Sequence, residues 1–149
     1  MLEGLSRLRQ GHTRRYSSWD QRGGNADYWR IPAGQTVTLA GIEGAGIIRH
    51  IWFTVSSPDT LYLRKTVLRM FWDGQAYPSV ETPLGDFFGV GHARVASYAC
   101  APFSMSANKG DEQHAAMNCY FPMPFGRGAR IEVTNESDQD IRSFYFMMR

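Results

Sequence analysis

Short runs that alternate apolar and polar residues dominate this chain, and no interior stretch carries the period of a multi-turn helix. Residues 35–40 set Val37 and Leu39 against Thr36 and Thr38, the pattern of a half-buried strand. Residues 129–134 alternate as cleanly, with Ile131 and Val133 facing inward. Residues 47–55 are apolar on both faces apart from Arg49, His50 and Thr54, which predicts one central strand. Further strands are expected at residues 28–31, 67–72, 102–106, 117–121 and 141–148, with Pro32 stopping the first and Pro122 and Pro124 closing the fourth. Asp73-Gly74 is a hairpin signal leading from residues 67–72 into residues 77–81. Residues 84–89 form a short apolar piece, 90–99 read as irregular, and 108–112 and 135–140 as polar turns. About nine or ten short strands without an interior helix predict an all-β fold, a jelly-roll β-sandwich.

Residues 1–15 stand apart. Leu2, Leu5 and Leu8 recur every third position among Arg7, Arg9, Arg14 and Arg15, so an N-terminal arm or short helix is expected before a jelly-roll domain over residues 16–149. The last strand reaches Arg149 without a closing turn, an ending expected of a domain truncated at its C-terminal end.

Composition narrows the classes. A length of 149 residues supports one domain, and a hydrophobic share of 43% gives it a core. Net charge is only +2 and the basic residues are scattered, which argues against a nucleic-acid partner. Cys100 and Cys119 lack zinc-type spacing, so no metal is expected, and both read as buried or half-buried thiols of a reducing compartment. With no signal peptide and no apolar run of membrane-spanning length, the expected location is cytoplasmic and no membrane partner is expected. No cofactor motif is present: the Gly41-to-Gly46 turn lacks the following Lys-Ser/Thr and helix of a phosphate loop.

Candidate chemistry concentrates in Ser17-Ser18-Trp19-Asp20-Gln21-Arg22-Gly23-Gly24-Asn25-Ala26-Asp27-Tyr28. Carboxylates and an amide can bond sugar hydroxyls, an indole can stack on a sugar ring, and Gly-Gly admits close backbone approach. Trp19, Asp20, Asn25 and Asp27 are therefore expected substrate contacts, with Asp86, a lone acid in an apolar run, as a further one. The competing reading is structural: Asp20 and Asn25 bonding local backbone, and Trp19 packing at a domain edge. His50 reads as a satisfied core or interface histidine and Glu81 as an outward strand residue. The run Tyr120-Phe121-Pro122-Met123-Pro124-Phe125 reads as a core-capping strand end or a protomer contact.

Five blocks occur in a telling order. They are Ser17-Ser18-Trp19-Asp20 with Gly23-Gly24-Asn25-Ala26-Asp27, then Gly44-Ala45-Gly46-Ile47-Ile48-Arg49-His50-Ile51-Trp52, and then Leu68-Arg69-Met70-Phe71-Trp72-Asp73-Gly74. Pro78-Ser79-Val80-Glu81-Thr82-Pro83-Leu84-Gly85-Asp86-Phe87-Phe88-Gly89 and Tyr120-Phe121-Pro122-Met123-Pro124-Phe125 complete the set. Together they resemble the domain of unknown function 2961, also glycoside hydrolase family 172. The resemblance implies two tandem jelly rolls, trimers or multiples of trimers, and retaining hydrolysis of fructofuranosyl or arabinofuranosyl linkages by paired glutamates. Those glutamates belong to a Gly-Thr-Gly-Thr-Glu-Asp-Tyr type motif of the second jelly roll, which this sequence lacks. The resemblance therefore implies the N-terminal portion: a chain that lines a carbohydrate pocket, forms homo-oligomers such as trimers, and is inactive alone, its catalytic residues unknown. A rival expectation is a non-catalytic carbohydrate-binding or oligomer-building jelly roll.

Overall fold

The computed structural model describes residues 10–107 and 114–149, so most of the expected arm (residues 1–9) and the expected turn at 108–112 lie outside the described residues. Among the described residues, thirteen strands and two single-turn helices follow in chain order. The strands are β1 (Tyr16–Ser17), β2 (Trp29–Ile31), β3 (Thr36–Glu43), β4 (Gly46–Ile48), β5 (Ile51–Ser56), β6 (Thr66–Trp72) and β7 (Val80–Pro83). Then come β8 (Tyr98–Ala99), β9 (Phe103–Ser106), β10 (His114–Cys119), β11 (Met123–Phe125), β12 (Gly128–Asn135) and β13 (Ile141–Met148). Helix α1 (Tyr62–Lys65) precedes β6, and α2 (Leu84–Phe87) follows β7.

A seven-stranded sheet runs β1-β13-β5-β10-β9-β8, with β2 also on β13, and a four-stranded sheet runs β3-β12-β6-β7. Every pairing is antiparallel, and the two sheets form an all-β, jelly-roll-like sandwich. The inward rows are those that alternation selects: Phe53 and Val55 of β5, Met117 of β10, Phe144 and Phe146 of β13, against Leu68, Met70, Ile131 and Val133. Each such side chain contributes about 1.5–3 kcal/mol on burial. Leu39 and Ala40 are both buried although adjacent, because β3 carries a bulge opposite Ile131 and Glu132 that shifts its register.

Three sequence expectations are revised. Residues 47–55 are not one strand: β4 ends at Ile48 and pairs β11 in a separate two-stranded sheet, while β5 starts at Ile51. The break falls at Arg49-His50, whose N–H groups bond the Arg149 carbonyl region at 2.7 and 3.2 Å. Single helical turns occur at α1 and α2, each too short to show a period. Cys100 is exposed and only Cys119 is buried, which pushes its thiol pKa up.

The turn chemistry does more than reverse the chain. Asp73, at φ 56°, accepts the N–H groups of Gly126, Arg127 and Gly128 at 2.9, 2.6 and 3.2 Å, tying the β6–β7 turn to the start of β12. Asn135 and Ser137, in the expected polar turn, are buried. The Asn135 amide donates to Ile31 O and Gln139 O at 3.0 and 2.9 Å and accepts from Ser137 N–H at 3.1 Å.

The outer faces of the sheets differ. Over the four-stranded sheet, Arg69 pairs with Glu81 and Glu136, and Arg130 with Glu132. Registers bring Met147, Trp52 and Asn118 into one outward row of the larger sheet, and Tyr145, Thr54 and Ala116 into the next. These six are half-buried and uncharged.

Candidate functional site

Strands β1 and β2 cover the same edge of β13, one near its end and one near its start, and the polar loop bulges out between them. Its roots are pinned by Ser18, which is buried. The Ser18 hydroxyl donates to Asp27 O at 2.6 Å and accepts Phe146 N–H at 3.0 Å, replacing a ladder carbonyl where β1 ends. Tyr28 and Trp29 then pack against Tyr145 and Phe146 with ring centroids 5.6 and 4.9 Å apart.

Asp20 organises the interior of the loop. Its carboxylate accepts the N–H groups of Arg22, Gly24 and Ala26 at 2.9, 3.0 and 3.3 Å, and Asp27 Oδ1 accepts the Asp20 N–H at 2.8 Å. The side chain of Asp20 is only 6% exposed. The Arg22 N–H holds the Asp20 carboxyl below the usual carboxylate range; burial opposes this, and the Ala26 N–H and the Arg22 guanidinium add to it. Gly-Gly-Asn follows from the same geometry. Gly23 and Asn25 sit at φ 76° and 59°, and a Cβ on Gly24 would lie 2.7 Å from Asp20 Oδ2.

The expected contacts therefore divide. Trp19 is 53% exposed, and Asn25 and Asp27 are exposed at the loop surface. Asp20 faces the loop backbone. Asp86 stands apart on α2, where it pairs with Arg64 of α1, and Arg64 also donates to Gly91 O at 3.3 Å. No bond recorded among the described residues joins Asp86 to the loop.

Beside the loop, and continuous with it through Tyr16, lies a cleft of about 640 Å³. Four separate segments line it: residues 12–16, 42–50, 120–125 and 148–149. Tyr120 is 52% exposed and lies parallel to the His50 ring at 4.8 Å, with 1° between the planes. His50 Nε2 is 2.9 Å from Asn118 Oδ1, and the Asn118 amide donates to Ser104 Oγ at 3.3 Å. With Oδ1 as the acceptor, Nε2 carries the proton. The imidazole is thus fixed from below and backs a flat aromatic surface open to the cleft. This platform was the part least visible in the sequence; its signal is Tyr120-Phe121, exposed aromatics directly before a proline.

Among the described residues no cluster of His, Cys, Asp or Glu could hold a metal ion, and no helix is long and apolar enough to cross a membrane. A family model described as GH172 domain-like matches residues 24–146. The chain belongs to the GH172 domain-like family. No curated protein matches the sequence. Membership places the chain in a glycoside-hydrolase-related, carbohydrate-active family. Within the GH172 match lie Asn25, Asp27, Asp86, His50 and Tyr120, whereas Trp19 and Asp20 precede it.

Proposed function

We propose that this chain forms a carbohydrate-binding wall of a GH172-type hydrolase acting on furanosyl linkages of fructose or arabinose type. In this reading Trp19, Asn25 and Asp27 touch the sugar, Asp20 positions the loop, and Tyr120 supplies a second stacking surface. Residues 16–149 act as the first of two tandem jelly rolls, and the nucleophile and acid/base come from outside this chain.

The observation that carries the reading is the commitment of Asp20. Retaining hydrolysis needs carboxyl groups about 5 Å apart, one of them kept protonated as the acid. Asp20 accepts three backbone N–H groups and is held ionised, the wrong state for that acid. Asp27 spends one oxygen on the Asp20 N–H and Asp86 pairs with Arg64. The loop is thus built to present groups rather than to exchange protons. Incubation of the purified chain with aryl furanosides tests this: no turnover is expected. Turnover abolished by Asp20→Asn or Asp27→Asn would overturn it.

A second reading, assembly into homo-oligomers such as trimers, is favoured by the uncharged outer face of the larger sheet around Trp52, Thr54, Tyr145 and Met147. Sedimentation equilibrium should then show association that Thr54→Lys weakens. A chain that stays monomeric at every concentration contradicts it.

A further inference from the structure

The charge of the cleft goes beyond what a neutral sugar requires. Arg14, Arg49 and Arg149 line it with His12 and His50, and Glu43 is the one acidic side chain among the described lining residues. Elsewhere Arg22, Arg64, Arg69 and Arg130 pair with carboxylates, while among the described residues Arg15, Arg30, Arg94, Arg127 and Arg142 do not, so it is the clustering in one cleft that sets the three arginines apart. Among the described residues, none of the three cleft arginines has an ion-pair partner. Backbone bonds hold the chain at Arg49 beside Arg149, and Arg14 shares the same lining. The Arg49 and His50 N–H groups donate to Arg149 O at 2.7 and 3.2 Å, and the Arg149 N–H returns to His50 O at 3.0 Å. Like charges lining one cleft repel one another, and an anion bound among them relieves that repulsion. A volume of about 640 Å³ suits a mono- or disaccharide, and the Tyr120 ring forms part of the same lining.

We propose that this cleft takes a saccharide bearing an anionic group, its ring laid on Tyr120 and its carboxylate or phosphate held by Arg14, Arg49 and Arg149. The proposal rests on the carbohydrate reading above and deepens it by naming the substrate class. Guanidinium–anion contacts are charge-assisted, so they discriminate strongly and weaken with salt.

Calorimetric titration of the full chain with four probes tests it: a neutral furanosyl disaccharide, a uronate-bearing disaccharide, a sugar phosphate and inorganic phosphate. At low salt one acidic sugar should bind about tenfold or more tightly than the neutral one. Arg49→Gln, or Arg14→Gln if the first variant does not fold, should bring that ratio toward one. The better acidic sugar identifies the anion as carboxylate or phosphate. Equal binding of neutral and acidic sugars overturns the proposal and leaves the carbohydrate reading standing. Inorganic phosphate binding as tightly as the acidic sugars overturns the saccharide part. Failure of every sugar to bind overturns both.

Discussion

Two adjacent serines offer a matched pair of perturbations at the root of the loop. Ser18 Oγ makes two hydrogen bonds, to Asp27 O and from Phe146 N–H, whereas Ser17 Oγ is buried with no partner among the described residues. Ser18→Ala leaves the N–H of Phe146, a residue only 2% exposed, without its acceptor, at a cost of about 1–3 kcal/mol. The lost bond to Asp27 O, which water can replace in the exposed loop, adds about 0.5–1 kcal/mol. The expected total is about 1.5–4 kcal/mol, a large share of the 5–15 kcal/mol typical of a domain. Ser17→Ala removes an unsatisfied hydroxyl and should change stability by no more than about 0.5 kcal/mol. Urea denaturation reads both, and amide exchange at Arg22, Gly24 and Ala26 shows whether the loop loosens when its root is cut. Equal effects of the two substitutions, or unchanged loop protection in Ser18→Ala, would refute the claim that Ser18 holds the loop.

Other expectations follow from the same contacts. Gly24→Ala should raise amide exchange at Gly24's neighbours, because its Cβ would meet Asp20 Oδ2 at 2.7 Å; unchanged exchange rates would count against the packed loop. Asp20 and Asp73 both have lowered folded-state pKa values, so their stabilisation is fully present above the unfolded value of about 3.9 and is lost as pH falls through the lower folded values. Stability should therefore hold from neutral pH to about pH 4 and decline below it, and a decline already complete at pH 5 would contradict the assignment. Asn135→Ala should cost about 3 kcal/mol in urea denaturation, since three hydrogen bonds around the β12–β13 turn go and the carbonyl of buried Ile31 loses the amide that donates to it.

Much of the sandwich is legible in the sequence because half-buried strands write their period directly. In β12 and β13 the inward Ile131, Val133, Phe144 and Phe146 all lie in the buried layer. The split between β4 and β5 was hidden because Ile47, Ile48 and Ile51 are all apolar, although they belong to different sheets. Arg49-His50 at the junction is the one local sign. Pro124 hides β11, yet a two-stranded sheet has only edges, where proline is tolerated. The loop's polar composition is visible, but not the division of labour within it. Asp20 and Asp27 read as equals, and only folding brings three N–H groups onto one carboxylate. Beyond Tyr120-Phe121 the cleft has little local signature, since its walls come from four separated segments that β1, β3, β4, β11 and β13 bring together.

The loop and cleft are expected to bind sugar without performing acid catalysis. An NMR titration of the isotope-labelled chain with a furanosyl oligosaccharide addresses it most directly. Saturable shifts are expected, confined to the Trp19 indole, the amides of residues 19–28, and those around His50 and Tyr120. A spectrum that does not move at millimolar sugar, or shifts confined to the charged face around Arg69 and Glu132, would contradict it.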